Sequence, residues 1–238
     1  MNEIQKPDRD ITVVITSCNR HDLLARTLDS FRAHETEGRV ARIIVAEDGN
    51  ADPAQVCERF GAEYFRTGER IGQIRLIDQA YAQVTTPYIF HLEDDWEFYR
   101  AGFMERSRAL LEANPLTLLV WLRAWNDTNG MPLAGWAPDR SWGVMAVNYC
   151  GCWHGFTFNP GLRRLGDYQR LGCYSKQKFT MHYEAVVPSA ALPYEAEASV
   201  FYYRLGYRAV ILNETGFVRH IGGERHVTHP NDVRVARG

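Results

Sequence analysis

The chain has 238 residues, is 45 % hydrophobic and carries a formal net charge of -2. That is enough apolar material for a sizeable core, and the near-neutral charge argues against a nucleic-acid partner, whose binder would usually be basic. No run approaches the roughly 18 apolar residues of a membrane span, and the polar start "MNEIQKPDRD" lacks the apolar centre of a secretion signal. The five cysteines lack small-scaffold spacing and read as reduced thiols. A cytoplasmic enzyme with no transmembrane segment is expected, in peripheral contact with a membrane at most.

"ITVVITS" (11–17) is short, apolar and β-branched, which predicts a buried strand. In the next stretch Leu23, Leu24, Thr27, Leu28 and Phe31 recur at helical spacing. "RIIVAED" (42–48) is a second strand. "DPAQVCERF" (52–60) predicts a short helix with Asp52 as N-cap and Pro53 at its first position. "AEYFRT" (62–67) is a third strand. Residues 71–84 predict a helix with Ile71, Ile74, Ile77, Tyr81 and Val84 on one stripe. "PYIFHL" (87–92) is a fourth strand. Alternating strands and helices predict right-handed βαβ units and a largely parallel sheet with helices on both faces.

Beyond residue 100 the rhythm changes. Helices are predicted at 101–114 and 192–206, and strands at 116–125, 155–160 and 207–212. The stretch 126–155 is rich in Gly, Trp, Pro and Asn and reads as irregular. With no repeat or low-complexity linker, a single domain over 1–238 is expected. Residues 1–100 would form its nucleotide-binding half, and 101–238 the acceptor-side half and tail.

Open α/β sheets bind ligands at the carboxyl ends of their strands. The first strand delivers Thr16, Ser17, Cys18, Asn19 and Arg20 there. The second delivers Glu47 and Asp48, and the fourth delivers Glu93, Asp94 and Asp95. Clustered carboxylates repel one another unless a cation, a proton or water offsets the charge. A divalent metal with an oxygen-rich ligand does so economically. No GxGxxG follows the first strand and no GxxxxGK[ST] occurs, which argues against a dinucleotide site or a P-loop. Phosphates would instead be held by a metal on Asp95 and by cations such as Arg70 or Arg75.

The segments "ITVVITSCNRHDLLARTLDSF", "IIVAEDGNAD", "IGQIRLIDQAYAQVTTPYIFHLEDDW" and "FYYRLGYRAVIL", in this order, resemble the family 2 glycosyltransferases of the GT-A fold. The resemblance covers about residues 11–225. It implies a nucleoside-diphosphate sugar donor, a divalent metal (Mn2+ or Mg2+) and inversion at the anomeric carbon. Thr16, Asn19 and Arg20 match the loop lining the nucleotide. Asp48 matches the acid that contacts the base, with Glu47 before it. Glu93-Asp94-Asp95 matches the DxD motif, in which the first acid faces ribose and sugar and the last binds the metal. Asp94, the middle acid, and Arg75 are grouped with the donor-binding residues. Asp78 and Ala80 depart from the Asn and Gly that the family often carries. Counting back from Gly206-Tyr207 places the general base at Glu195, with Glu197 its nearest competitor. His220, in a His-Gly segment, is assigned to metal or diphosphate.

The expected reaction is metal-dependent, inverting transfer of a sugar to a hydroxyl acceptor, whether a glycan, a lipid-linked glycan or a small molecule. Polysaccharide biosynthesis is one setting this fits. Nucleotidyl transfer and a non-catalytic nucleotide-sugar-binding module are the competing classes. Among Trp121, Trp125, Trp136, Trp142 and Trp153, Trp136 and Trp142 are expected to stack on a saccharide or glycosidic acceptor. A zinc site at Cys150, Cys152 and His154 is disfavoured because the spacing fits no standard finger. His226 and His229 are expected to be exposed or structural.

Overall fold

β1 (Ile11–Ser17) is buried along its whole length, as a β-branched run covered on both faces should be. The computed structural model describes residues 9–128, 130–147, 155–178, 191–223 and 225. α1 (His21–His34), β2 (Val40–Glu47), α2 (Ala54–Phe60), β3 (Glu63–Arg66), α3 (Gln73–Tyr81) and β4 (Tyr88–Glu93) follow β1 in strict alternation. Then come β5 (Trp96–Phe98), α4 (Phe103–Ala113), β6 (Thr117–Trp121), β7 (Leu133–Trp136), β8 (Gly143–Met145) and β9 (Gly161–Arg164). α5 (Leu165–Leu171), α6 (Leu192–Arg204), β10 (Arg208–Ile211) and β11 (Val218–His220) complete the order.

The main sheet has nine strands in the order β3-β2-β1-β4-β9-β6-β10-β8-β7, so it draws on both halves of the chain. β3, β2, β1 and β4 pair in parallel, as do β6 and β10. β9 is inserted antiparallel between β4 and β6, which leaves those two pointing the same way. The carboxyl ends of β1, β2, β4, β6 and β10 therefore meet at one edge, joined by the start of β9. β5 and β11 form a separate antiparallel pair that sets His220 opposite Trp96.

α1 buries Leu23, Leu24, Thr27, Leu28 and Phe31, the five residues of its sequence stripe. Leu24, Leu28 and Phe31 join Phe90, Phe98 and Phe103 on one face of the sheet. The opposite face carries Ile74, Ile77 and Tyr81 of α3 with Phe156, Phe158, Tyr174 and Tyr202.

Several expectations need correction. α3 starts two residues late because Gly72, at φ 87°, cannot begin a helix and the Asp48 carboxylate has captured the Ile71 and Gly72 amides. In α2 Pro53 is the N-cap, and the Asp52 carboxylate accepts from the Ala54 amide at 3.1 Å. Residues 155–160 form no strand; they cross the strand ends, and the strand begins at Gly161. β6 ends at Trp121, and a 3-10 turn at Trp125–Asp127 replaces the end of the predicted strand. The stretch read as irregular contains β7 and β8, which extend the sheet. Cys150, Cys152, Trp153, His154, His226 and His229 lie outside the described residues. Cys18, Cys57 and Cys173 are unbridged. No helix among the described residues is long and apolar enough to cross a membrane.

Gly161 is where β9 slots between β4 and β6, and a Cβ there would overlap the Val120 carbonyl. Gly161→Ala should cost about 1–3 kcal/mol through overpacking. Urea unfolding should show a lower midpoint at an unchanged slope. A wild-type midpoint would contradict the close fit of β9.

Candidate active site

β4 ends in Glu93 and β1 ends in Ser17, and the chain beyond β1 turns so that Arg20 faces the acids. Arg20 Nε donates to Asp94 Oδ2 at 3.2 Å, and its Nη2 makes a very short bond to Asp94 Oδ1. Its Nη1 donates to Asp95 Oδ2 at 2.8 Å. One guanidinium thus bridges two consecutive carboxylates.

The three acids have different surroundings. Asp94 is fully buried and also accepts from Ser17 Oγ at 3.1 Å, so it faces inward and anchors β1 to β4. Burial pushes its pKa up to about 6, although Arg20 pulls the other way. Glu93 accepts from Gln73 Nε2 at 2.6 Å and from Trp96 Nε1 at 3.0 Å. Burial, then the charge of Asp95, and further on that of Glu195, lift it to about 8. Burial also acts upward on Asp95, but the His220 hydrogen bond and the Arg20 charge outweigh it and hold Asp95 below the usual carboxylate range. His220 Nε2 lies 3.1 Å from Asp95 Oδ2, and that contact raises the imidazole pKa against burial. The Ile221 amide donates to the Asp95 carbonyl at 2.8 Å, so the segment after β11 wraps this residue.

The second strand's acids shape the neighbouring loops. Glu47 is fully buried and its Oε1 accepts from the Asn19 amide at 2.7 Å. Asn19 sits at φ 55°, and its Oδ1 accepts from the Ala51 amide at 3.1 Å. Asp48 accepts from the Ile71 and Gly72 amides at 2.7 and 2.9 Å. Thr16 is buried, and its carbonyl accepts from the Asp94 amide at 3.0 Å. Arg70 and Arg75 are both exposed, Arg75 on the first turn of α3. Asp78 binds the Tyr168 hydroxyl and the Tyr174 and Ser175 amides, and so ties α3 to the 3-10 turn at Tyr174–Lys176.

Glu195 occupies the first turn of α6. Its Oε1 accepts from the Phe158 amide at 2.7 Å and the Thr157 hydroxyl at 2.9 Å. Burial raises its pKa, while those bonds and the charge of Arg163 draw it down. Thr157 and Phe158 lead into Gly161, which pairs with His91, so Glu195 sits toward the same end of β4 as the triplet. Glu197, two residues on, cannot share that helical face.

Sequence reasoning missed Gln73 and Trp96, which hold Glu93, and Arg163 of β9. Arg163 is buried, and its Nη2 donates to the carbonyls of Thr157 and Asn159 at 3.2 and 3.4 Å. It thereby steadies the loop that holds Glu195. "GLRR" offers no signal for this, because nothing in it says which arginine points inward. Trp96, three residues after Glu93, was visible in the sequence as an aromatic beside the acids.

A mixed sheet with flanking helices and acids at the strand ends defines the GT-A class of fold. The chain matches the family model "Glycosyl transferase family 2" over residues 12–141, more than half its length, and it belongs to that family. No curated protein matches the sequence. Among solved structures, a mannosyltransferase from Pyrobaculum calidifontis in complex with GDP-Man and Mn2+ superposes with a TM-score of 0.63 at 16 % identity. The match covers 92 % of this chain and 60 % of that one, so this chain spans about 60 % of that structure's length. At this identity the likeness speaks for the fold.

The family implies a divalent metal, and the residues here fit one. Asp95 Oδ2 and His220 Nε2, 3.1 Å apart, are a carboxylate oxygen and an imidazole nitrogen, the two donor types that would hold such an ion. Gly222 leaves room beside both, since a Cβ on it would lie 2.5 Å from that oxygen and 3.0 Å from that nitrogen. Among the described residues no group of three or more His, Cys, Asp or Glu side chains gathers to hold a metal ion. The remaining ligands would be water and phosphate oxygens, as is common for a hard cation held by one or two carboxylates.

Arg20→Met would leave Asp94 buried without its cation. Breaking such a pair costs about 3–5 kcal/mol. Chemical denaturation should show a loss near the lower end of that range, because Arg20 retains some exposure. Adding Asp94→Asn should restore much of it. Wild-type stability in the single variant would contradict the assignment.

Proposed function

We propose that the chain is a metal-dependent, inverting glycosyltransferase that moves a sugar from a nucleoside-diphosphate sugar to a hydroxyl acceptor. The observation that carries this reading is the division of the carboxylates. Glu93 and Asp95 sit with His220 at the end of β4. Glu195 stands apart on α6, its one engaged oxygen held by neutral donors. Family membership and the GDP-Man and Mn2+ of the mannosyltransferase neighbour support the same reading.

Asp95 and His220 would hold the metal, which when bound offsets the negative charge of the diphosphate leaving group. Thr16, Asn19, Arg20, Glu47 and Asp48 shape the nucleotide side of the edge. Glu93, tethered by Gln73 and Trp96, faces the donor sugar. Asp94 contributes indirectly by fixing Arg20, and Arg75 is exposed toward solvent on the same helix as Gln73. Glu195 takes the proton of the acceptor hydroxyl on Oε2, since Thr157 and Phe158 both bind Oε1. A base on the face away from the leaving group yields inversion. We place donor binding in residues 1–100 and acceptor binding in 101–238 of one domain. The enzyme would act in the cytoplasm on a soluble or membrane-surface acceptor.

Glu195→Gln should lower kcat by about 10²–10⁴-fold, the usual contribution of a general base. Donor affinity in the same variant should stay within about twofold of wild type, because Glu195 contacts the acceptor alone. Asp95→Asn should impair both donor binding and turnover. Wild-type transfer by Glu195→Gln would overturn the base assignment. Release of pyrophosphate in place of a nucleoside diphosphate would point to nucleotidyl transfer, and binding without turnover to a non-catalytic module.

Glu195 must be ionised to act, and burial raises its pKa. The acid limb of kcat/KM should therefore lie above the ordinary glutamate range of about 4.3. Arg163 lowers that pKa, so Arg163→Gln should move the limb upward. A limb that stays in place would remove Arg163 from the account.

A further inference from the structure

Three 3-10 residues, Trp125–Asp127, follow β6 on the catalytic edge of the sheet. With β7 they bound a cavity of about 500 Å³ whose walls include Trp125, Asn126, Met131, Pro132, Leu133 and Trp136. It is a half-open cleft whose wall mixes aromatic and apolar side chains with the polar Asn126 and Thr128, a lining suited to a ligand with both C–H faces and hydroxyls. The strand registers place its far wall on the same edge as the acids, since Trp136 stands opposite Gly143, Gly143 opposite Ile211, and Ile211 beside Trp121.

The tryptophans divide by environment. Trp121 is buried and its Nε1 donates to the Gly155 carbonyl at 2.9 Å. Trp142, expected from the sequence to meet an acceptor, is half-buried against the hydrophobic cluster that contains Phe90 and Phe103. Trp125 is 48 % exposed and offers indole surface to the cavity. Trp136 is a fixed wall, with the Arg140 guanidinium 5.3 Å from its ring centre.

A continuous set of contacts joins this cavity to the acids. Trp96 donates to Glu93, and the Arg123 guanidinium lies 5.3 Å from the Trp96 ring. Arg123 in turn binds both oxygens of Asp127, at 2.9 and 3.3 Å, in the turn that carries Trp125. The aromatic wall is thus held in register with the catalytic floor. The charges nearby are balanced, Arg140 by Glu214 at 2.8 Å and Arg123 by Asp127. The Thr128 hydroxyl is engaged with the carbonyls of Trp125 and Met131. What remains among the described residues is an indole surface with Asn126 beside it and no unbalanced charge, which suits an amphipathic, uncharged ring better than a phosphate or carboxylate.

Resting on the transferase reading, we propose that the Trp125–Trp136 cleft is a sugar-binding subsite for the acceptor. A neutral pyranose stacks its C–H face on Trp125 there. β6, which leads into Trp125, lies two strand positions from β4, and β7, which carries Trp136, lies five, so the cleft stands roughly 10–24 Å from the acids at the usual strand spacing. That is more than one ring, so the acceptor is an oligosaccharide or an extended glycoside whose reacting hydroxyl lies beyond the sugar held in the cleft.

The test uses the full chain saturated with Mn2+ and nucleoside diphosphate, applied to an array of neutral and anionic oligosaccharides. Donor turnover to water is measured in parallel. Wild type should bind neutral oligosaccharides. Trp125→Ala should weaken that binding at least tenfold, and Trp125→Tyr should restore part of it, with donor hydrolysis unchanged in both. Unchanged saccharide binding in Trp125→Ala, or binding confined to anionic glycans, would overturn the subsite. Absence of donor binding and hydrolysis in wild type would overturn the transferase reading itself.

Discussion

One guanidinium holds the catalytic edge together. Arg20 bridges Asp94 and Asp95 at the point where β4 leaves the core, and without it two adjacent buried carboxylates would face each other unscreened. Because Asp94 also binds Ser17, the same contact locks the end of β1 to the end of β4. The loop from Cys18 to Arg20, the start of α1 and the direction of Asp95 all follow from it. The arrangement costs desolvation, and Asp94 shows the cost in a pKa that stays high despite its cation. What the chain gains is one carboxylate, Asp95, held between Arg20 and His220 and kept ionised.

The rest of the site is assembled from remote segments by short pieces of backbone. β5 and β11 are three residues each, yet their pairing carries His220 to Asp95 across the length of the chain. Residues 155–160 cross the strand ends to present Thr157 and Phe158 to Glu195, steadied from below by Arg163. Arg225 adds a further tie, with an ion pair to Asp22 at 2.6 Å and a carbonyl that accepts from Arg20. Polar groups from opposite ends of the sequence therefore meet near the end of β4.

Much of this was legible in the sequence where local periodicity decides structure. The α1 stripe was read residue by residue, and the acids at the ends of β2 and β4 declared the edge. The missed parts are those whose burial depends on distant partners. β9 reads as a basic tetrapeptide, and only its place between β4 and β6 makes Leu162 and Arg163 interior. The late start of α3 follows from Asp48 capturing amides more than twenty residues away, a competition that helical spacing cannot express. Trp142 and Trp125 look alike in the sequence, and only tertiary packing half-buries one against the core and leaves the other on the surface.

On the proposed function, Glu195 and the Asp95 end of β4 work on opposite faces of one anomeric carbon. The most direct measurement is the stereochemistry of transfer, followed by NMR from an α-linked nucleoside-diphosphate sugar with Mn2+ and an accepted hydroxyl compound. A β-linked product is expected from the first turnover, with one nucleoside diphosphate released per glycoside formed. An α-linked product would contradict it.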